Sequence, residues 1–237
     1  MAVVTDNAAK IVKCVKDLKL KHVPCFAHTL SLAVKAAIHS DAQFSVIIEK
    51  CRKIVTFFHS SPNATTKVNS CCAANKKSKS KLVQECPTRW NSTFLMIRCL
   101  LGNIYSTVMK IIGDFLCLIY LDLRGEVNAA LALCNRMDLV LDENEWEVLI
   151  GALQILQPCQ YLTADLSSSS YPSISKVLPS AKILRDKIEG LSAAIDYTAN
   201  HVALNTMCAS LKQNISSRLG EYRMNTIHLV ATYLDPR

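Results

Sequence analysis

Apolar residues recur at helical spacing through most of this chain, and that spacing constrains its fold more than any other feature. From Phe44 onward, one run keeps its apolar positions on a single helix face for about four turns: Phe44, Ile47, Ile48, Cys51, Ile54, Val55 and Phe58. Comparable runs follow in residues 91–111, 146–156, 174–188 and 202–219. The pattern predicts a helical region over residues 41–237.

The first forty residues follow a different pattern, in which short strand signals alternate with helical ones. Met1 to Thr5 is an apolar, β-branched run, and His22 to Phe26 is a second short candidate strand. A helical pattern follows each run. Strand–helix–strand–helix is part of an α/β unit. We therefore predict a mainly α protein with a small α/β part in residues 1–40.

Positive charge is concentrated at the front of the chain. Residues 1–100 carry 16 Lys+Arg against 5 Asp+Glu, whereas residues 101–237 carry 11 against 14. A basic front half favours a polyanionic partner, most simply DNA. The alternative is a solvated lysine surface that contacts nothing.

Residues 60–82 lack apolar periodicity and are rich in Ser, Asn, Thr and Lys, which predicts a mobile basic loop. Its lysines are expected to add phosphate contacts that do not depend on DNA sequence. They are Lys76, Lys77, Lys79 and Lys81.

Hydropathy and cysteine usage exclude two classes of protein. No stretch of about 18 uncharged apolar residues exists, so no membrane partner is expected. The 11 cysteines form no disulfide-like framework, and the first residues do not resemble a signal peptide. We expect thiols in a reducing compartment.

Arg89 and Trp90 stand side by side in the segment Cys-Pro-Thr-Arg-Trp-Asn-Ser-Thr, residues 86–93. An exposed guanidinium beside an indole offers a phosphate clamp and a platform on which a base can stack. The alternative interpretation places Trp90 in the core, with Arg89 extended over it.

Two further sites have the residue types that bind metals. Asp6 follows a candidate strand, where a carboxylate suits Mg²⁺, although it equally suits a helix cap. Cys25 and His28 form a C-x-x-H pair, which is half of a zinc site. Zinc needs three or four ligands and no second pair has the right spacing, so we favour a structural role for this pair.

Three blocks in the same order resemble hAT-family transposases and their domesticated BED-finger, or ZBED-like, relatives. They are V-T-D-N-A-A at residues 4–9, C-F-A-H-T-L-S-L-A-V at 25–34 and T-R-W-N-S-T at 88–93. Weaker similarities occur at residues 145–146, 171–175 and 234–237. Lys10 and Ser31 depart from the family pattern, which usually has Asn at both positions.

The resemblance implies an RNase H-like catalytic core interrupted by an all-helical insertion. Residues 1–40 would be part of that core and residues 41–237 mostly insertion. Asp6 would be the second of three catalytic acids, and the other two have no counterpart in these residues. Mg²⁺ is therefore expected only if the missing acids are supplied, and the chain is predicted not to be an enzyme.

The resemblance also bears on partners and location. It implies that His28, Arg89 and Trp90 lie near the bound DNA end. The family's BED finger and C-terminal dimerisation segment have no counterpart in these residues. We expect a nuclear, catalytically inactive DNA-binding protein of the transcription-regulator type. The alternative is a helical module for homo- or hetero-association that makes no DNA contact.

Overall fold

The computed structural model describes residues 1–77, 82–86, 88–102, 123–167, 174–194 and 202–236. Two short strands lie near the N-terminus, β1 (Ala2–Thr5) and β2 (Lys21–Pro24). The helices are α1 (Ala9–Asp17), α2 (Phe26–Ile38), α3 (Ala42–Ser60), α4 (Pro62–Ala74), α5 (Trp90–Leu101), α6 (Arg124–Leu133), α7 (Glu143–Leu166), α8 (Val177–Ala194), α9 (Val202–Gly220) and α10 (Thr226–Leu234). The predicted fold class, mainly α with a small α/β part, is confirmed.

The chain divides into two compact units. Unit 1 comprises Met1–Ala42 with Gln154–Arg237, and unit 2 comprises Gln43–Leu153. The first division falls after Ala42. The C-terminal part differs from the prediction of one helical region from 41 to 237, because the late helices pack with the first 42 residues.

Unit 1 is built on the predicted strand–helix–strand–helix segment. β1 and β2 pair in parallel, with Val4 opposite Val23, and α1 connects them. The face of α2 that carries Leu30, Ala33 and Val34 is fully buried, and α2 packs along α9. The connection through α1 thus pairs β1, from the first sequence block, with β2. The second block begins α2, which packs along α9 of the same unit.

Unit 2 is held by the helix with the strongest periodicity. All seven apolar positions predicted to face inward on α3 are buried, which confirms that helix. At the start of α7, Asp142 Oδ1 accepts the N–H of Glu145 at 2.8 Å, and Glu145 Oε2 accepts the N–H of Asp142 at 2.9 Å. This capping box fixes the start of α7. The same Glu145 oxygen lies 2.7 Å from Lys50 Nζ on α3.

The predicted mobile loop at residues 60–82 is wrong for its first part, because residues 62–74 form α4. Ser61 Oγ accepts the N–H of Ala64 at 3.2 Å, and Pro62 occupies the first helical position, where its missing N–H costs nothing. A narrow seam of Ala64, Val68 and Cys72 is buried, and α4 packs on α6. Hydroxyl-rich residues on the other faces concealed this seam in the sequence.

Other predictions concern residues that the structure does not describe. The predicted apolar face of the helix at 91–111 is buried as far as Leu101, and residues 103–111 lie outside the described ranges.

None of the described helices is long and apolar enough to span a membrane.

Candidate nucleic-acid interface

The first two sequence blocks form one local structure in unit 1. The N–H of Cys25 donates to the carbonyl oxygen of Thr5 at 2.8 Å. Asn7 Nδ2 lies 3.4 Å from Thr29 Oγ1, to which it donates. The end of β1 and the start of α2 therefore meet, although about twenty residues separate the two blocks in the sequence.

Asp6 lies at this junction, half-buried, directly after β1. Its Oδ1 accepts the N–H of Ala8 at 3.2 Å, so the carboxylate holds the turn that leads into α1. Among the described residues, no group of three or more His, Cys, Asp or Glu is placed to hold a metal ion. Asp6, Cys25 and His28 thus form no metal-binding cluster within that part of the chain.

The second block is anchored by Thr29 rather than by His28, which is half-buried in the first turn of α2. Thr29 Oγ1 donates to the carbonyl oxygen of Cys25 at 3.0 Å and lies 2.9 Å from Tyr222 Oη. Burial raises the pKa of Tyr222 to about 12. Its ring stacks on the imidazole of His228, with centroids 5.0 Å apart.

We expect the buried His228 to make unit 1 sensitive to acid. It is 2% exposed, neither ring nitrogen has a hydrogen-bond partner among the described residues, and burial lowers its pKa. The unfolded chain, with a histidine pKa of about 6.5, then binds more protons than the folded chain as pH falls below that value. We expect the melting temperature to fall between pH 7.5 and 5.5, measured by circular dichroism.

His228→Phe is the control for this effect, because phenylalanine keeps the ring against Tyr222 but does not titrate. The two proteins should differ in pH dependence by at most about 1.4 kcal/mol per pH unit, the limit for one proton. Parallel pH profiles of the two proteins would contradict the assignment.

The third block places Trp90 in the core of unit 2, and the expected stacking role of Trp90 needs correction. Its side chain is 3% exposed and it is the first residue of α5. An indole enclosed in this way presents no free face to a base. The alternative stated above, a core tryptophan, is the arrangement observed, while the Arg89 side chain is exposed.

A buried carboxylate holds the rest of this block in place. Glu85 accepts hydrogen bonds from Thr93 Oγ1 and from the guanidinium of Arg52 on α3. Ser92 Oγ accepts the N–H of Cys86 at 2.8 Å. Thr93 and Ser92 of the T-R-W-N-S-T block therefore fix the segment before α5 to α5 itself, and Glu85 joins that segment to α3 through Arg52.

The lysines of the predicted loop fall into three classes. Lys76 is exposed and has a φ of 55°. Lys77 Nζ forms an ion pair with the buried Glu126 at 2.8 Å, so the prediction of a phosphate contact is wrong for this residue. Burial acts to raise the pKa of Glu126, but hydrogen bonds from Lys77 and Asn75 outweigh it, and the pKa is lowered. The two remaining predicted contacts, Lys79 and Lys81, lie outside the described residues.

A row of exposed lysines in unit 1 was not singled out from the sequence. We call it the lysine row; it comprises Lys10, Lys13, Lys16, Lys19 and Lys21. The first three lie on α1 at a spacing of three, within about 120° of the helix circumference. None of the five forms an ion pair with a described residue. The regular spacing of the lysines within the predicted helix could have identified them from the sequence.

Comparisons with known proteins agree with the sequence blocks. Residues 23–114 match the family model of the ZBED1 RNase-like helical domain. Zinc finger BED domain-containing protein 4 of Homo sapiens is 27% identical over 234 residues, which cover 99% of this chain and 18% of that protein. Zinc finger BED domain-containing protein 6 of Homo sapiens is 24% identical over 235 residues, 99% of this chain and 22% of that protein.

A transposase is also among the relatives. The transposable element Hobo transposase of Drosophila melanogaster is 28% identical over 195 residues, 81% of this chain and 24% of that protein. Sequence blocks and relatives together support a transposase-derived protein. More particularly, the chain is ZBED-like, and its similarity to the Hobo transposase supports derivation from a hAT transposase, as the sequence blocks predicted. It spans about a fifth of the length of the BED-type relatives.

Proposed function

We propose that this chain is a nuclear DNA-binding protein of the transcription-regulator type, without strand-transfer activity. The observation that carries the proposal is the lysine row on and after α1. Five exposed cations lie within twelve residues, and Asp17 is the only acid between the first and the last. Unpaired lysines that are close together are suited to neutralising successive phosphates of a DNA backbone.

Further contacts are proposed for the exposed side chain of Arg89, at the start of α5, and for His28 and Lys76. Arg89 offers a guanidinium that can bind a phosphate in a bidentate manner. Lys79 and Lys81, which the sequence predicts to contact phosphates, remain proposed contacts. These groups position a backbone and read no base, so the proposed binding is independent of DNA sequence.

The proposed lack of catalysis rests on the environment of Asp6. Phosphoryl transfer with two metal ions needs several carboxylates that converge on one point. The Asp6 carboxylate instead accepts a backbone N–H, and Lys10 occupies a position where the family usually has Asn. Magnesium-dependent nicking of DNA by the purified chain, abolished in Asp6→Asn, would contradict this part of the proposal.

The DNA-binding proposal predicts a specific change in salt dependence. Replacing Lys10, Lys13 and Lys16 together with glutamine should reduce the slope of log K against log salt by about 2.7, since each phosphate contact contributes about 0.9. The measurement is fluorescence anisotropy of a labelled DNA duplex at several salt concentrations. Affinity at low salt should fall at least about tenfold.

The matched control removes the same charge from the acidic second half, by replacing Lys176, Lys187 and Lys212 with glutamine. Lys187 and Lys212 are exposed and Lys176 is half-buried, and two of the three, Lys176 and Lys212, already pair with acids. The control should leave the slope nearly unchanged. Equal losses of affinity in both variants would show that net charge alone attracts the DNA and that the lysine row is not the binding surface. Absence of DNA binding by the folded wild-type chain would overturn the proposal.

A further inference from the structure

We propose that a groove in unit 1 binds an acidic, amphipathic helix from a partner protein. The groove, which we call the C-terminal groove, lies between α8, the end of α9 with the 3-10 turn that follows it (Glu221–Met224), and α10. Its volume is about 450 Å³, within the usual range of about 300–1,000 Å³ for binding clefts. The proposal concerns a surface separate from the lysine row.

Apolar side chains form the floor of the C-terminal groove. Leu178 comes from α8, Ile215 and Leu219 come from α9, and Leu229 comes from α10. Leu229 is 48% exposed, and its neighbour Val230 is 50% exposed, so the apolar surface continues along α10. Exposed apolar patches with a polar rim are typical of protein interaction sites.

Among the described residues, three cations and no acids line the same groove: Lys182, Arg185 and Arg223. Lys182 and Arg185 are three residues apart on α8 and share a face of that helix, while Arg223 comes from the turn after α9. None of the three forms an ion pair with a described residue. This positive charge is local, because residues 101–237 carry more acids than bases.

An apolar floor with a cationic rim is complementary to a helix that presents leucine-like side chains on one face and Asp or Glu beside them. The DNA backbone matches the rim only, because it has no protruding apolar side chain of the size of leucine to bury on the floor. An amphipathic helix with apolar anchors and flanking acids uses both features, and this chemistry identifies the class of partner.

The probe is a fluorescein-labelled helical peptide of about 15 residues, with leucine at i, i+3, i+4 and i+7 and glutamate at the flanking positions. Anisotropy titration with the full chain should show saturable binding. The double variant Arg185→Glu/Arg223→Glu should weaken binding at least about tenfold, because two attractions become repulsions. Leu229→Ser should weaken binding through loss of the apolar floor.

Two sets of controls separate the groove from general effects. Lys187→Glu/Arg218→Glu makes the same charge change on α8 and α9, at exposed positions that do not line the groove, and should change affinity less than about twofold. One control peptide carries lysine for glutamate, and another carries serine for leucine; both should bind at least about tenfold more weakly. Circular dichroism is used to check that each variant is folded.

Three results would overturn this inference. The first is absence of saturable binding by the folded chain. The second is equal weakening by the groove variant and by the Lys187→Glu/Arg218→Glu control. The third is displacement of the peptide by duplex DNA together with loss of DNA affinity in Arg185→Glu/Arg223→Glu, which would make the groove a phosphate-binding surface. The first two results do not depend on the outcome of the lysine-row experiment.

Discussion

Replacing Trp90 with alanine should lower the free energy of unfolding of unit 2 by about 3–5 kcal/mol, the usual cost of removing a buried tryptophan. The indole is 3% exposed, and the truncation leaves a cavity between helices. Both tryptophans of the chain, Trp90 and Trp146, lie in unit 2. Urea unfolding followed by the fluorescence of Trp146 therefore reports on the unit in which the change is made.

A second variant separates packing from DNA contact. Trp90→Leu keeps an apolar side chain but removes the aromatic faces, so a folded Trp90→Leu protein should bind a hairpin-ended DNA within about twofold of wild type. Arg89→Gln, at the adjacent exposed position, should lower the affinity by the loss of one phosphate contact. A folded Trp90→Leu protein that loses at least about tenfold in DNA affinity would show that the indole does contact DNA.

Helical periodicity determined how much of the fold could be predicted. The seven inward positions of α3 repeat without interruption, and all are buried. α4 has only a narrow apolar seam among hydroxyl side chains, and its start depends on the cap at Ser61 and on Pro62. A seam this narrow gives a weak periodic signal, so the composition favoured a loop.

The candidate site could be predicted only in part, because exposure is set by contacts between distant residues. The local sequence of Arg89 and Trp90 fits both a core and a surface tryptophan. Unlike the exposed Lys76, Lys77 forms an ion pair with Glu126, which lies about fifty residues further along the chain. The spacing of lysines on α1 was present in the sequence, but the structure was needed to show that they are exposed.

Replacing Glu85 with alanine should destabilise unit 2 by about 2–4 kcal/mol. The Glu85 side chain is 3% exposed, and its carboxylate accepts hydrogen bonds from Arg52 and Thr93. Removing one partner of a buried ion pair costs about 3–5 kcal/mol when the remaining charge is left without compensation. The expected cost is somewhat lower here, because Arg52 is 28% exposed and also pairs with Glu49 at 2.8 Å.

Glu49 supplies the matched control, because it binds the same guanidinium from an exposed position on α3. Its side chain is 51% exposed, so Glu49→Ala should cost no more than about 1 kcal/mol. Glu85→Gln should lie between the two alanine variants, because the amide retains an acceptor for Thr93 but loses the charge opposite Arg52. Equal costs for Glu85→Ala and Glu49→Ala, measured by urea unfolding with tryptophan fluorescence, would mean that the buried carboxylate does not hold the segment before α5. That segment carries Arg89, so a loosened anchor at Glu85 should also weaken any DNA contact that depends on the position of Arg89.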